Sequence, residues 1–325
     1  DSSTCTANLT EIITDRALLS LPATQVLLAL GNADPADQAQ RMQSVLSGVD
    51  SLIETAYQQR GLIDDAGLMT STSYGYPNVA PSALLNIRCL DFEGDSICTT
   101  ASNCLAISWD GSYSIWKTAA QANGEEPSAE AFSNTGDALG FDFTHALAHQ
   151  LMQNSYTDSE AFADYATKIF MQDSSAAPSI DWQSALKRVS SGVVGPLDAD
   201  DALAMYWQLH LAFDGAAAST DGVFARMDAY SRNPESAPYG LELSGASADD
   251  QLMRLACAAT GKNNLAFFKA WGLVPDDVTA AYASSFSEEG RLIQYITDQN
   301  AVGGSTDAKG SARTQAPSSA EIAFD

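Results

Sequence analysis

From about residue 139 onward the chain repeats one pattern: apolar residues at helical spacing, run after run, with turn formers between. The runs fall at 141–153, 159–172, 198–214, 219–232, 247–260, 263–271 and 276–285, separated by Gly, Pro, Ser and Asp clusters. A chain of this kind must pack helix on helix over its second half. The first third reads differently. Residues 36–60 place apolar positions at helical spacing behind an acidic start and predict a long amphipathic helix. Residues 84–90 (LLNIRCL) and 105–109 (LAISW) are short, apolar and bounded by turn formers, as buried strands are. The last 25 residues are rich in Gly, Ser and Ala with no apolar period, so they are expected to form a linker or tail. The organisation expected is therefore an α/β part over 1–125, a helical part over 126–300 and the tail over 301–325.

Charge narrows the partners. With 41 acidic against 16 basic residues the net charge is -25, which repels nucleic acid and anionic lipid over any distance that salt does not screen. No run approaches the roughly 18 consecutive apolar residues of a membrane span, so neither nucleic-acid binding nor membrane insertion is expected. The acids are spread along the whole chain, which points to solubility before it points to a site for basic substrates. Five cysteines stand at 5, 89, 98, 104 and 257. A Cys98–Cys104 loop is one expected pairing, and Cys257, in an apolar helical stretch, reads as a buried free thiol.

The chain holds three histidines, and two of them, His145 and His149, lie four apart in the helix-prone stretch THALAHQLMQ. One turn of helix stacks both imidazoles on one face, roughly 6 Å apart and within reach of a single zinc ion. Glu160, eleven residues past His149 at the start of the next helical run, is where a helix folded back on the first could deliver a carboxylate. An HxxxH pair with a later Glu is by itself a weak signal, and two such histidines are as often packed or surface residues. Asp164, one turn after Glu160, suits a hydrogen-bond acceptor for a ligand histidine, or a plain solvated role. His210, among Tyr206, Trp207, Leu211 and Phe213, reads as a packed histidine. Asn8-Leu9-Thr10 matches a glycosylation acceptor, a pattern short enough to arise by chance.

The wider sequence weighs toward the metal. NVAPSALLNIRCLDFEGD followed by CLAISW, then ALAMYWQLHLAF at 202–213, ATGKNNLAFFKAWGLVPDD at 259–277 and AYASSFSEEGRLIQYIT at 281–297, resemble in order and spacing the segments of the enhancin-like zinc peptidases, the M-sixty family of viral enhancins and bacterial mucinases. The resemblance covers about residues 20–298. It implies an α+β fold of the zincin, gluzincin-like kind: an N-terminal α/β part with a twisted sheet, a central metal-binding helix and a C-terminal helical subdomain. It further implies a Zn2+ ion on His145, His149 and Glu160, and an endopeptidase acting on O-glycosylated glycoproteins or mucins. The module would be monomeric, part of a larger secreted or cell-surface bacterial protein. Trp109, Asp110 and Tyr113 follow the strand expected at the sheet edge beside the metal helix, where such peptidases bind extended substrate by strand addition. Trp109 reads more readily as simple core.

At the chemistry itself the sequence departs from the family. Where the family has H-E-x-x-H, this chain reads His145, Ala146, Leu147, Ala148, His149. The glutamate of that motif takes a proton from the water that attacks the scissile carbonyl and passes it to the leaving amine. Alanine at 146 can do neither, so this form is expected to be inactive. Two explanations fit: an alanine introduced to trap uncut substrate, or a natural pseudopeptidase retained as a glycoprotein-binding, adhesin-like module. Survival of both histidines and the glutamate favours the first, since a site released from catalysis has no chemical need to keep them. A helical structural domain with an incidental HxxxH is the remaining rival, and metal content separates it from the others.

Overall fold

A computed structural model describes residues 8–30, 34–62, 80–81, 83–90, 98–101, 104–108, 140–171, 177–215 and 222–298. They form two compact units, each discontinuous in sequence. The described residues within Asp1–Ala56, Pro81–Gln153 and Ala166–Pro178 make up one; those within Tyr57–Ala80, Asn154–Tyr165 and Ser179–Asp325 make up the other.

The first unit is built on a five-stranded mixed sheet in the order β1-β2-β3-β5-β4. Strands β1 (Leu9–Ile13) and β2 (Ala17–Pro22) form an antiparallel hairpin. Its turn is tied down by Asp50, whose carboxylate accepts from the Thr14 hydroxyl at 2.6 Å and the Arg16 N–H at 3.0 Å. Along β2 the alternation of the pleat sends Ala17, Leu19 and Leu21 into the core, each no more than 2% exposed. Helix α1 (Ala23–Leu30) follows directly, and Asn8 Oδ1 accepts from the Thr24 N–H at its start, so the side chain of the possible glycosylation acceptor is engaged in a cap. Helix α2 (Pro35–Gln59) is the long amphipathic helix expected from the sequence. Asp34 caps it, and Val45, Val49, Leu52, Ile53 and Ala56 make its buried stripe.

Strand β3 (Leu85–Cys89) lies parallel to β2 and to β5 (Cys104–Ile107), and β4 (Cys98–Ala101) pairs antiparallel with β5. The strand around 105–109 was expected at the edge of the sheet. Instead β5 is flanked on both sides, which is why all four of its residues are buried, and β4 is the edge strand. The short, Thr-rich segment CTTA carries no apolar run, as suits an edge. Helix α3 (Phe141–Leu151) packs against β4 and β5.

Helix α4 (Ser159–Met171) gives its first residues to the second unit and its last to the first. Among its described residues the second unit also holds α5 (Trp182–Ser191), α6 (Ala199–Phe213), α7 (Val223–Arg232), α8 (Ala248–Thr260), α9 (Leu265–Ala270) and α10 (Asp277–Ala283), with a short parallel pair β6 (Lys262–Asn263) and β7 (Ser287–Glu288). The caps follow N-terminal chemistry. Asp181, Asp198, Ser247 and Asp276 each accept a backbone N–H from the first turn of α5, α6, α8 and α10. Helix α6 is buried on all sides from Ala202 to Ala212, and its one amide, Gln208, is fully used. It accepts from the Trp271 indole at 3.0 Å and donates to the carbonyls of Gln294 and Ile296 at 2.7 and 3.0 Å. Among the described residues no helix is long and apolar enough to cross a membrane.

Candidate metal centre

Helix α3 buries Phe143, Leu147 and Ala148 and leaves His145 and His149 half-buried on another face. The two imidazoles meet edge to face with centroids 4.7 Å apart, and the Phe141 ring stacks on His145 at 5.1 Å. Residues 141, 145 and 149 therefore form one i, i+4 ladder in which each ring restricts the next. The Gln153 amide lies 3.3 Å from Nδ1 of His149. The atom nearest the ring is the amide nitrogen, Nε2 of Gln153, which donates to Nδ1 when that ring nitrogen carries no proton.

Past the end of α3 the chain turns sharply. Asn154 Oδ1 accepts from the N–H groups of Tyr156 and Thr157 at 3.1 and 3.0 Å and from the Thr157 hydroxyl at 2.7 Å. Asp158 then caps α4, accepting the Ala161 N–H at 2.9 Å, while its own N–H donates to the Tyr206 hydroxyl at 2.9 Å. Glu160 sits exposed in the first turn that this cap starts. One ligand atom from each of His145, His149 and Glu160 lies within 4.8 Å of the others, and it is the one such group of three or more His, Cys, Asp or Glu among the described residues. Two imidazole nitrogens and one carboxylate oxygen are the donor set of a three-ligand zinc site with an open fourth position.

Of the other residues singled out in the sequence, Ala146 lies beside His145 on α3 and is 6% exposed. Asp164 is half-buried one turn beyond Glu160 on α4. Trp109, Asp110 and Tyr113 lie outside the described residues. His210 is packed, as its surroundings imply. It is 1% exposed, stacks on Trp207 at 4.8 Å, and has the Tyr165 hydroxyl and the Asp214 carboxylate at 3.3 and 3.4 Å from Nδ1. Burial, and then Asp214, hold the Tyr165 phenol well above its usual range. Cys257 is a buried free thiol, and burial pushes it up to about 11. Cys104 is also free, so the Cys98–Cys104 loop does not form. The register explains why: Cys104 faces Ala101 across the ladder and Cys98 faces Ile107, too far apart for a disulfide.

No family model matches the chain, and neither does any curated protein. Solved structures do match. A functionally unknown conserved protein from Bacillus anthracis str. Ames has a TM-score of 0.65 at 17% identity, over 92% of this chain and 56% of that one. The ZmpB metallopeptidase of Clostridium perfringens matches with a TM-score of 0.62 at 16% identity, over 92% of this chain and 54% of its own. The M60 catalytic domain of ZmpC from the same organism, solved in complex with the sialyl T antigen, has a TM-score of 0.58 at 16% identity, over 91% and 52%. At these identities the likeness is one of fold: a mixed α and β architecture similar to M60 metallopeptidase domains. The chain spans about half the length of the structures it matches.

Proposed function

We propose that this chain is the catalytic module of a secreted zinc endopeptidase for O-glycosylated, mucin-type glycoproteins, in a form that lacks its general base. The observation that carries the reading is that one ligand atom from each of His145, His149 and Glu160, on two helices, lies within 4.8 Å of the others, with Ala146 next in sequence to His145. The two imidazoles and the carboxylate would hold the ion. When bound, zinc would supply a Lewis acid that polarises the scissile carbonyl and acidifies the attacking water. Phe141 limits rotation of His145, and the Gln153 amide nitrogen adjoins Nδ1 of His149. Asp164 is proposed as an acceptor that orients a ligand, and Trp109, Asp110 and Tyr113 as substrate contacts.

The two residues that follow position 146 on α3, Leu147 and Ala148, cannot move a proton in its place. The loss of general acid/base help typically lowers a rate by about 10² to 10⁴, so the chain would bind substrate and hold it uncut. That same observation favours a second reading, a natural pseudopeptidase serving as a glycoprotein-binding module. Both readings require zinc and a glycan-dependent partner. They are tested together by loading the chain with zinc and measuring its affinity for a mucin-type glycopeptide and for the same peptide stripped of sugar. One zinc per chain with binding of the glycosylated form alone is expected. Failure to take up zinc would return the histidines to the incidental reading, and equal binding of both peptides would remove the glycan from the proposal.

A further inference from the structure

Four residues before Glu160 stands a buried group that the metal chemistry leaves unexplained. Tyr156 is 1% exposed, and its phenol donates to Oδ1 of Asp228 on α7, itself 2% exposed. The other carboxylate oxygen of Asp228 accepts from Arg60 Nε at 2.9 Å and faces Arg232 at 3.6 Å. Arg232 in turn donates to the Arg60 carbonyl. Burial, and then the Asp228 charge, hold the Tyr156 phenol well above its usual range. Such a buried charged group contributes little to stability compared with apolar packing of the same volume. What it offers is a single allowed geometry.

That geometry is passed along the chain without slack. Only Thr157, Asp158 and Ser159 separate Tyr156 from Glu160. Asn154 holds the N–H groups of Tyr156 and Thr157, and Asp158 is fixed twice, by its cap to Ala161 and by its N–H to Tyr206. The backbone that starts α4 therefore has its position set by where Tyr156 is pinned on α7. An exposed carboxylate such as Glu160 has many rotamers, and a ligand set tolerates displacements of only about 0.5 Å.

We infer that the Tyr156–Asp228 hydrogen bond, braced by Arg60, is a positioning device that sets where Glu160 is presented to the metal; the inference rests on the metal-site reading above. Tyr156 and Asp228 are positioning residues: neither is among the three ligands. Removing the bond leaves the ligands intact while loosening one of them, and outer-shell changes of this kind lower metal affinity by about 10- to 100-fold.

The test is a double-mutant cycle read by metal binding rather than by activity. Co2+ and Zn2+ affinities, and the visible absorption of the Co2+ form, are measured for the parent chain, Tyr156→Phe, Glu160→Ala and the double variant. Thr279→Val, which removes a buried hydroxyl elsewhere in the same unit, controls for lost stability. The expected result is an affinity about tenfold weaker for Tyr156→Phe, a Co2+ spectrum shifted toward that of Glu160→Ala, and no further loss in the double variant. Asp228→Asn keeps the shape, discharges the carboxylate and should weaken binding in the same direction, which supplies the reading if Tyr156→Phe does not fold. A loss no larger than that of Thr279→Val, or one that persists at full size when Glu160 is already gone, would overturn the positioning role while leaving the metal site standing. A parent chain that takes up neither ion would overturn both.

Discussion

Asp298 is expected to be the last residue of the chain on which stability depends. Its two carboxylate oxygens accept separate indole N–H groups, from Trp207 at 2.6 Å and from Trp182 at 3.1 Å. It follows directly on the segment whose carbonyls satisfy Gln208 inside α6. In Asp298→Ala both donors lose a charged acceptor. Such hydrogen bonds are worth about 1.5–3 kcal/mol each. Trp182 is half-buried and can turn its N–H toward water, whereas Trp207 is 7% exposed and cannot. A net loss of about 2–4 kcal/mol follows, or about 5–15 °C in Tm for a unit of 150–250 residues. Differential scanning calorimetry measures it, with a red shift of tryptophan emission as an independent sign that the indoles have been released. Truncation after Asn300 should leave Tm within about a degree, because the residues removed offer almost no apolar surface to bury. If Asp298→Ala melts with the parent, or if the truncation costs as much as the substitution, the clamp has been misread.

Three further outcomes are expected. Zinc at one hundred times its Kd should add about 2.7 kcal/mol of stability, raising Tm by about 5–11 °C, and Glu160→Ala should lose most of that shift without a comparable change in the metal-free melt; an equal shift in both would exclude Glu160 as a ligand. Gly61→Ala should cost at least about 2 kcal/mol, measured as a lower urea midpoint, because Gly61 has φ +64° and a Cβ there would stand 2.5 Å from the Ala225 carbonyl oxygen. Cys257, buried and with its thiol pushed up to about 11, should resist alkylation at pH 8 in the native chain and react once urea unfolds it; rapid native labelling would show that α8 opens locally.

The elements that were legible in the sequence are those whose partners are implied by their own periodicity. Helix α2 declares itself through Val45, Val49, Leu52 and Ile53, and α6 through an apolar run too wide for any surface helix. Helix α5 escaped because Ala185, Leu186 and Val189 are its only buried residues, too thin a stripe among Gln, Lys and Ser. The hairpin of β1 and β2 was missed because its register is completed by Leu85–Cys89, more than sixty residues away. Closeness in sequence misled at Cys98 and Cys104, since the antiparallel ladder carries them in opposite directions. At the candidate site, the four-residue spacing of His145 and His149 showed that they share a helix face. Glu160 came from the resemblance together with its place at a helix start. The turn that presents Glu160 was half legible: Asn154 and Asp158 are recognisable turn and cap formers, but Tyr206 and Asp228, which anchor it, come from segments that nothing local connects to residue 156.

The central claim is that this chain keeps a peptidase site complete but for one group, and Ala146→Glu tests it most directly. Residue 146 adjoins His145 on the same helix, so a carboxylate there has the place that proton transfer requires. Both forms, loaded with zinc, are incubated with a mucin-type glycoprotein and with the same protein stripped of its O-glycans, and fragments are followed by mass spectrometry. The account predicts cleavage of the glycosylated protein by Ala146→Glu at a rate at least about 10² above the present form, with the stripped protein left intact. A folded, zinc-loaded Ala146→Glu that cuts nothing across a broad panel of glycoproteins would contradict it and leave a binding module.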